Sequence, residues 1–267
     1  MNLIMNNIEN KNAVSADVLH THTGTSFNEL LNKITLGDSY ELIKQIPDNS
    51  IDLIIIDPPY EIETEGGNTT IGKSLKNNML KELKQLHITE GIDYSLLDEL
   101  CRIMKKTNIY IWCNKKQLLS YLKYFIEIKK CSFELLLWLK SDPAPLCGGN
   151  YLIDKEFCLY FRNGIKLNTN YESAKTWWIS NKNKKDKEKF LHPTIKPLNI
   201  IKTLIKNSSN EGDIVLDCFS GSGTTCVAAK ELNRQYIGIE INPEYHKISV
   251  DRLEGILANG QTSIFMS

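Results

Sequence analysis

From residue 34 onward, short apolar runs alternate with amphipathic stretches. Residues 34–37 form a first short strand, and 39–46 read as a helix stopped by Pro47 and Asp48. The run 51–57, IDLIIID, is almost wholly apolar and β-branched, which predicts a strand buried on both faces. Amphipathic spacing over 94–105 predicts a helix, followed by a strand over 108–113 and a helix over 115–128. Two apolar runs, 133–139 and 156–161, have no helix between them and read as an antiparallel pair at one sheet edge. A helix over 198–207 begins just after Pro197. A strand over 213–219, a helix over 224–232, a strand over 235–241 and a helix over 243–257 complete the series. Strands alternating with helices predict an α/β fold, a doubly wound and mostly parallel sheet of seven strands.

Three stretches stand outside this alternation. Residues 1–30 are polar and read as an N-terminal extension, leaving 31–258 as the main domain. Residues 61–92 read as a long loop, and loops of that length beside a site are usually functional. Residues 163–190 are polar, with Trp177, Trp178 and a lysine run. For the two tryptophans, core packing and contact with a ligand are equally good readings. His20 and His22 have no third ligand nearby and read as surface residues.

Composition narrows the picture less than pattern does. Apolar residues make up 42% and charged residues 24%, which is ordinary globular composition. No apolar run approaches the roughly 20 residues of a membrane helix, and the start lacks the pattern of a signal peptide. The seven cysteines include no CxxC pair, which argues against zinc or a disulfide framework and fits a reducing cytoplasm. Net charge is zero, but its distribution is uneven. Residues 101–140 carry nine Lys or Arg against two acids, and 181–206 carry eight Lys against two acids. Such patches either bind phosphates or are solvated helix faces.

In a parallel α/β sheet, ligands bind beyond the carboxyl ends of the strands, and two predicted ends carry chemistry. The first is Asp57-Pro58-Pro59-Tyr60. Two prolines fix an extended backbone and remove two N–H donors, so the carbonyls there face as acceptors. A carboxylate, a carbonyl and an aromatic ring within four residues suit an amino group on a flat ring. The plain alternative is a proline-rich turn. The second end is Asp217-Cys218-Phe219-Ser220-Gly221-Ser222-Gly223-Thr224-Thr225. Its glycines allow close backbone approach, but no Gly-Lys-Ser/Thr follows, so it is not a phosphate-cradling P-loop. Cys226 occupies the third glycine position of a dinucleotide fingerprint, and Asp217 suits a cationic amino group better than a pyrophosphate. Glu240, ending the next strand, suits ribose hydroxyls. A ligand with a ribose, an amino group and no phosphate fits S-adenosylmethionine, with no metal required.

These motifs, in this order, resemble the β class of amino-methylating DNA methyltransferases, in which the DPPY motif precedes the cofactor motif. The segment GDSYELIKQIPDNSIDLIIIDPPY, the cofactor motif DCFSGSGTT and the motif HPTIKP at 192–197 carry the likeness, which spans roughly 33–255. Trp138-Leu139-Lys140 and Glu156 resemble its middle motifs. The resemblance implies a class I methyltransferase fold with circularly permuted motif order, double-stranded DNA as partner, base flipping and a homodimer. It implies that Asp57, Pro58, Pro59 and Tyr60 hold the target amine. It implies that Asp217, Phe219, Gly221, Ser222, Gly223, Thr224, Thr225 and Glu240 bind S-adenosylmethionine together with Asp38 and Asp57. His192, Thr194 and Lys196 would line its methionine end. Two departures stand out: Cys218 replaces a common proline, and the stretch from Glu156 to His192 is short for a target-recognition domain. Asp before Pro-Pro-Tyr favours adenine N6 over cytosine N4. A catalytically silent nucleic-acid-binding subunit and a dinucleotide oxidoreductase are the rival readings; intact motifs oppose the first and the glycine pattern opposes the second.

Overall fold

The computed structural model describes residues 26–59, 92–143, 149, 151–190 and 195–256. Its strands are β1 (Lys33–Leu36), β2 (Leu53–Ile56), β3 (Asn108–Cys113), β4 (Ser132–Lys140), β5 (Lys155–Arg162), β6 (Trp177–Ser180), β7 (Ile214–Asp217) and β8 (Gln235–Glu240). They form one sheet in the order β1-β8-β7-β2-β3-β5-β4-β6. The pairs β1–β8, β8–β7, β7–β2 and β2–β3 are parallel, β5 is antiparallel to both β3 and β4, and β4–β6 is parallel. All strands but β5 therefore point the same way.

The apolar runs become the central strands for the expected reason. Every residue of β2 and β3 is buried. Because side chains alternate across a strand, Ile54 and Ile56 enter one core, while Leu53 and Ile55 enter the other. On the first face lie α1 (Phe27–Leu30), α2 (Ser39–Leu42), α3 (Tyr94–Ile103) and α4 (Leu118–Leu122), the last running into a π-helical turn, Lys123–Ile128. On the other lie α6 (Leu198–Ser208), α7 (Thr224–Glu231) and α8 (Pro243–Leu253). The short helix α5 (Lys184–Phe190) precedes α6. α3 shows the local logic. Asp93 caps it by accepting the Leu96 N–H at 3.1 Å, and Leu96, Leu97, Leu100 and Ile103 form its buried stripe.

Three expectations change. Among the described residues the sheet has eight strands rather than seven, because Trp177–Ser180, read as part of a polar insertion, pairs with β4 from Leu137↔Trp177 to Lys140↔Ser180. None of its four residues is buried, so no continuous apolar run marks it, and here the partner edge supplies the order. The pair β4–β5 is antiparallel as expected but does not close the sheet; β6 does. The fold also starts before residue 31. Ser26 and Glu29 form a reciprocal cap on α1, and Leu30 is fully buried. Residues 1–25 and 60–91, which hold most of the expected extension and long loop, lie outside the described residues. Among the described residues no helix is long and apolar enough to cross a membrane.

Candidate active site

The two chemical motifs, about 160 residues apart in the chain, become neighbours because β2 and β7 pair, with Leu53↔Val215 and Ile54↔Leu216 in register. Asp217 ends β7, and Asp57 directly follows β2 at the same sheet edge. On the other side of β7, β8 ends in Glu240, which is level with Leu36 of β1, just before Asp38. Four adjacent parallel strands thus each deliver a carboxylate to one edge.

The β7 end is built mostly from its own neighbourhood. Asp217 is buried and accepts the Phe219 N–H at 3.1 Å. Burial pushes its pKa up to about 7, with Asp57 and Glu240 adding to the rise and hydrogen bonds from Thr225 and Phe219 opposing it. Gly221 and Gly223 take positive φ, 49° and 73°. A Cβ at Gly223 would sit 2.9 Å from Cβ of Ser249, so this turn needs glycine for both its angle and its space. Glu240 braces the turn: one of its oxygens accepts the Gly221 N–H at 2.6 Å and the other the Asn242 N–H at 2.8 Å. Burial raises the Glu240 carboxyl, and those N–H groups pull it back. Asp38 caps α2 by accepting the Tyr40 N–H at 2.9 Å, and the next residue, Ser39, donates its hydroxyl to the Cys218 carbonyl.

The β2 end is held by side chains from far away. The Lys196 ammonium, itself almost fully buried, pairs with Asp57 Oδ2 and lies 3.2 Å from Glu156. Glu156 in turn pairs with Lys140 at 2.7 Å. Burial alone would raise the Glu156 carboxyl; the Lys196 and Lys140 ammoniums outweigh it and hold it below the usual range. This grouping follows from the reversed β5: its start and the end of β4 face the same sheet edge as Asp57. Lys196 also stacks 5.3 Å over the Trp112 ring.

Most of the expected site residues meet here. Asp38, Asp57, Lys196, Asp217, Phe219, Gly221, Ser222, Gly223, Thr224, Thr225 and Glu240 share the carboxyl edge of the sheet. Pro58 and Pro59 follow Asp57 directly. Tyr60, His192 and Thr194 lie outside the described residues. The structure adds residues that no motif marked. Gln117, buried at the start of α4, donates to the Pro59 carbonyl at 3.0 Å, while its own oxygen accepts the Asn114 N–H at 3.2 Å. Arg252, buried near the end of α8, donates to the Ser222 carbonyl at 3.1 Å and to the Thr224 hydroxyl at 2.7 Å. Its guanidinium is held over the Phe190 ring at 4.9 Å. These contacts join elements far apart in sequence, so no local signal announces them.

The basic patches also divide. Lys105 pairs with Asp52 and Lys129 with Asp98, at the edge away from the site, whereas Lys115 and Lys116 follow β3 at the site edge. The lysine-bearing α5 crosses that edge, because the chain is tied to the end of β4 by the Lys182 N–H on Asp142 at 2.7 Å and reaches Arg252 through Phe190. Burial lowers the Lys187 ammonium; Glu156 opposes that fall, and the Lys140 and Lys196 cations deepen it. Of the two tryptophans of β6, Trp178 packs on the core, and Trp177 is 50% exposed.

Known proteins resemble this chain in sequence and fold. The type II methyltransferase M.HinfI of Haemophilus influenzae is 30% identical over 260 residues, covering 88% of this chain and 71% of that protein. The type II methyltransferase M2.LlaDCHI of Lactococcus lactis subsp. cremoris is 32% identical over 235 residues, covering 81% and 87%. The crystal structure of the M1.HpyAVI–SAM complex superposes with a TM-score of 0.58 at 26% identity, over 82% of this chain and 98% of that one. The PvuII DNA methyltransferase, described as cytosine-N4-specific, shares the fold with a TM-score of 0.62 at 17% identity, over 82% and 85% of the two chains. The model of the N6/N4 DNA methylase family matches residues 51–251, from the strand before Asp57 to the helix that carries Arg252. Both motif-bearing strand ends fall inside that match, and the chain belongs to the N6/N4 DNA methylase family.

Proposed function

We propose that this methylase acts on N6 of adenine in double-stranded DNA, with S-adenosylmethionine as the methyl donor. The observation that carries the reading is the side-by-side placement of Asp57 and the Asp217–Gly223 turn on paired strands. The donor fits the β7 end. A carboxylate as deep as Asp217 is stabilised by a cation, which the donor's ammonium group brings. The glycine turn lets a ligand reach the backbone, and Glu240, braced on both oxygens, ends the next strand, where a ribose would lie. When bound, S-adenosylmethionine supplies a methyl group on a sulfonium centre.

The protein supplies geometry. An exocyclic amine is a weak nucleophile because its lone pair is delocalised into the ring. In this reading Asp57 and the Pro58 carbonyl accept its two hydrogens, which favours a pyramidal nitrogen aimed at the methyl group. Positioning of this kind reaches effective molarities of about 10⁵ M or more. The base must leave the duplex, at a cost of a few kcal/mol, and Tyr60 stacking would offset part of it. The exposed lysines of α5, Lys184 and Lys189, are suited to phosphates beside the site. The kinship with type II methyltransferases supports a role in DNA modification paired with a restriction enzyme. Asp57 as the first motif residue favours adenine.

Incubating the protein with duplex DNA and labelled S-adenosylmethionine, then analysing nucleosides by mass, tests the reading. N6-methyladenine is the expected product. N4-methylcytosine would assign the other amine, and no methylated nucleoside would refute the proposal.

A further inference from the structure

We infer that Glu156 is a positioning residue for methyl transfer: through Lys196 it sets the direction in which the Asp57 carboxylate faces the base amine. The inference rests on the amine-methylation reading above. The geometry is a chain of alternating charges, Lys140–Glu156–Lys196–Asp57, drawn from the end of β4, the start of β5, the stretch before α6 and the end of β2. Lys196 is 8% exposed, so its ammonium has lost most of its water and depends on fixed partners. It has carboxylates on two sides, Asp57 and Glu156, and the Trp112 face at 5.3 Å. Pairing with Asp57 alone would let the long lysine side chain and the carboxylate turn together. Glu156 adds a second anchor on a sheet strand, and Lys140 at 2.7 Å holds that anchor. With Glu156 fixed by β5 and Asp57 by β2, the lysine spans two rigid points, and the plane of the Asp57 carboxylate follows. Support of this kind, from a group that never touches the substrate, is what keeps a reacting constellation within a fraction of an ångström.

Glu156 matched a middle motif in the sequence without acquiring a role there. Its competing role is purely structural: balancing the charge of a buried lysine. The two roles predict different measurements. Glu156→Gln keeps the shape and loses the charge. If Glu156 positions Asp57, single-turnover methyl transfer to duplex DNA falls at least tenfold, while the Kd for S-adenosylmethionine by calorimetry stays within about twofold. Lys196→Arg, which keeps the charge and the donors, then retains more of the rate than Lys196→Met. A wild-type single-turnover rate in Glu156→Gln, even with a lowered melting temperature, overturns the inference. So does a loss of cofactor affinity as large as the loss of rate, because the effect would then run through the cofactor pocket. Should Glu156→Gln fail to fold by circular dichroism, Lys140→Met loosens the same anchor from its outer end. A two- to fivefold lower rate supports the inference, and an unchanged rate overturns it. The wild-type protein is measured alongside: if it methylates no DNA amine, the underlying functional reading fails, whereas an active wild type with an equally active Glu156→Gln defeats only the positioning role.

Discussion

Two carboxylates sit at the ends of paired strands, and they are held in opposite ways. Asp217 is buried in a turn whose contacts come largely from the following residues: the Phe219 N–H and the Thr225 hydroxyl, with the Gly221 N–H of the same turn braced by Glu240 from the neighbouring strand end. Asp57 is more open, with 26% of its side chain exposed, and its partner Lys196 lies 139 residues away in sequence. The residues after Asp57 are tied down by Gln117, which comes from the helix after β3. A turn that must hold a ligand by its backbone can be written into one short motif. A carboxylate that must face a reacting group in one direction has to be fixed by several elements at once, because a single strand end leaves its side chain free to rotate.

The comparison breaks most sharply at Asp57. Asp57→Ala should lose at least about a hundredfold in kcat at saturating cofactor and DNA, in line with removal of a preorganised polar group, yet keep its fold. Methyl-transfer rates and circular dichroism measure both, and near-normal turnover would remove Asp57 from the mechanism. The contrasting change at the other strand end is Gly223→Ala. There φ is 73° and the new Cβ meets Ser249, so strain and crowding together should cost about 2 kcal/mol or more. The expected result is a tenfold or greater rise in the cofactor Kd together with a lower melting temperature. Normal affinity would mean that the turn does not need its left-handed shape.

Smaller effects sharpen the difference. Gln117→Ala leaves the half-buried Pro59 carbonyl without this donor, a loss of about 1 kcal/mol or slightly more. That loss should appear as roughly a tenfold lower kcat with unchanged cofactor affinity. An equal fall in cofactor affinity would show that the two strand ends are coupled through this residue. The smallest effect is a pH dependence confined to Asp217. Its folded pKa of about 7 lies above the ordinary 3.8, so the native state keeps a proton that the unfolded chain has already lost. Without ligand, stability therefore falls as pH rises from about 4 to 7 and levels off above. Cofactor binding runs the other way, because the ammonium prefers the ionised carboxylate. Affinity should fall about threefold between pH 7.5 and 6.5. Calorimetry across that range with Asp217→Asn should show no such fall; a fall of the same size in the variant would assign the proton elsewhere.

Much of the molecule is legible in its sequence. The central strands announce themselves because a parallel strand buried on both faces must be a continuous apolar, β-branched run, as at IDLIIID. Asp57, Asp217 and Glu240 could be placed at strand ends because each directly follows such a run, and a doubly wound sheet brings those ends together. The glycines of the turn could be read as letting a ligand approach the backbone, while their positive φ and the nearby Ser249 came from the structure. The eighth strand could not be read. β6 alternates exposed and half-buried residues inside a polar stretch, and its order depends on pairing with β4.

The sequence by itself determined the class of fold, the two chemical motifs and their order, because these depend on local periodicity and on backbone conformations that only certain residues allow. Only the tertiary structure decided which charge faces which. Lys196 reaches Asp57, Gln117 reaches Pro59 and Arg252 reaches the glycine turn because strand order and the reversed β5 bring distant segments to one edge. Such pairings leave no local signature, since a lysine that meets a carboxylate across the sheet has the same neighbours in sequence as one that points into water.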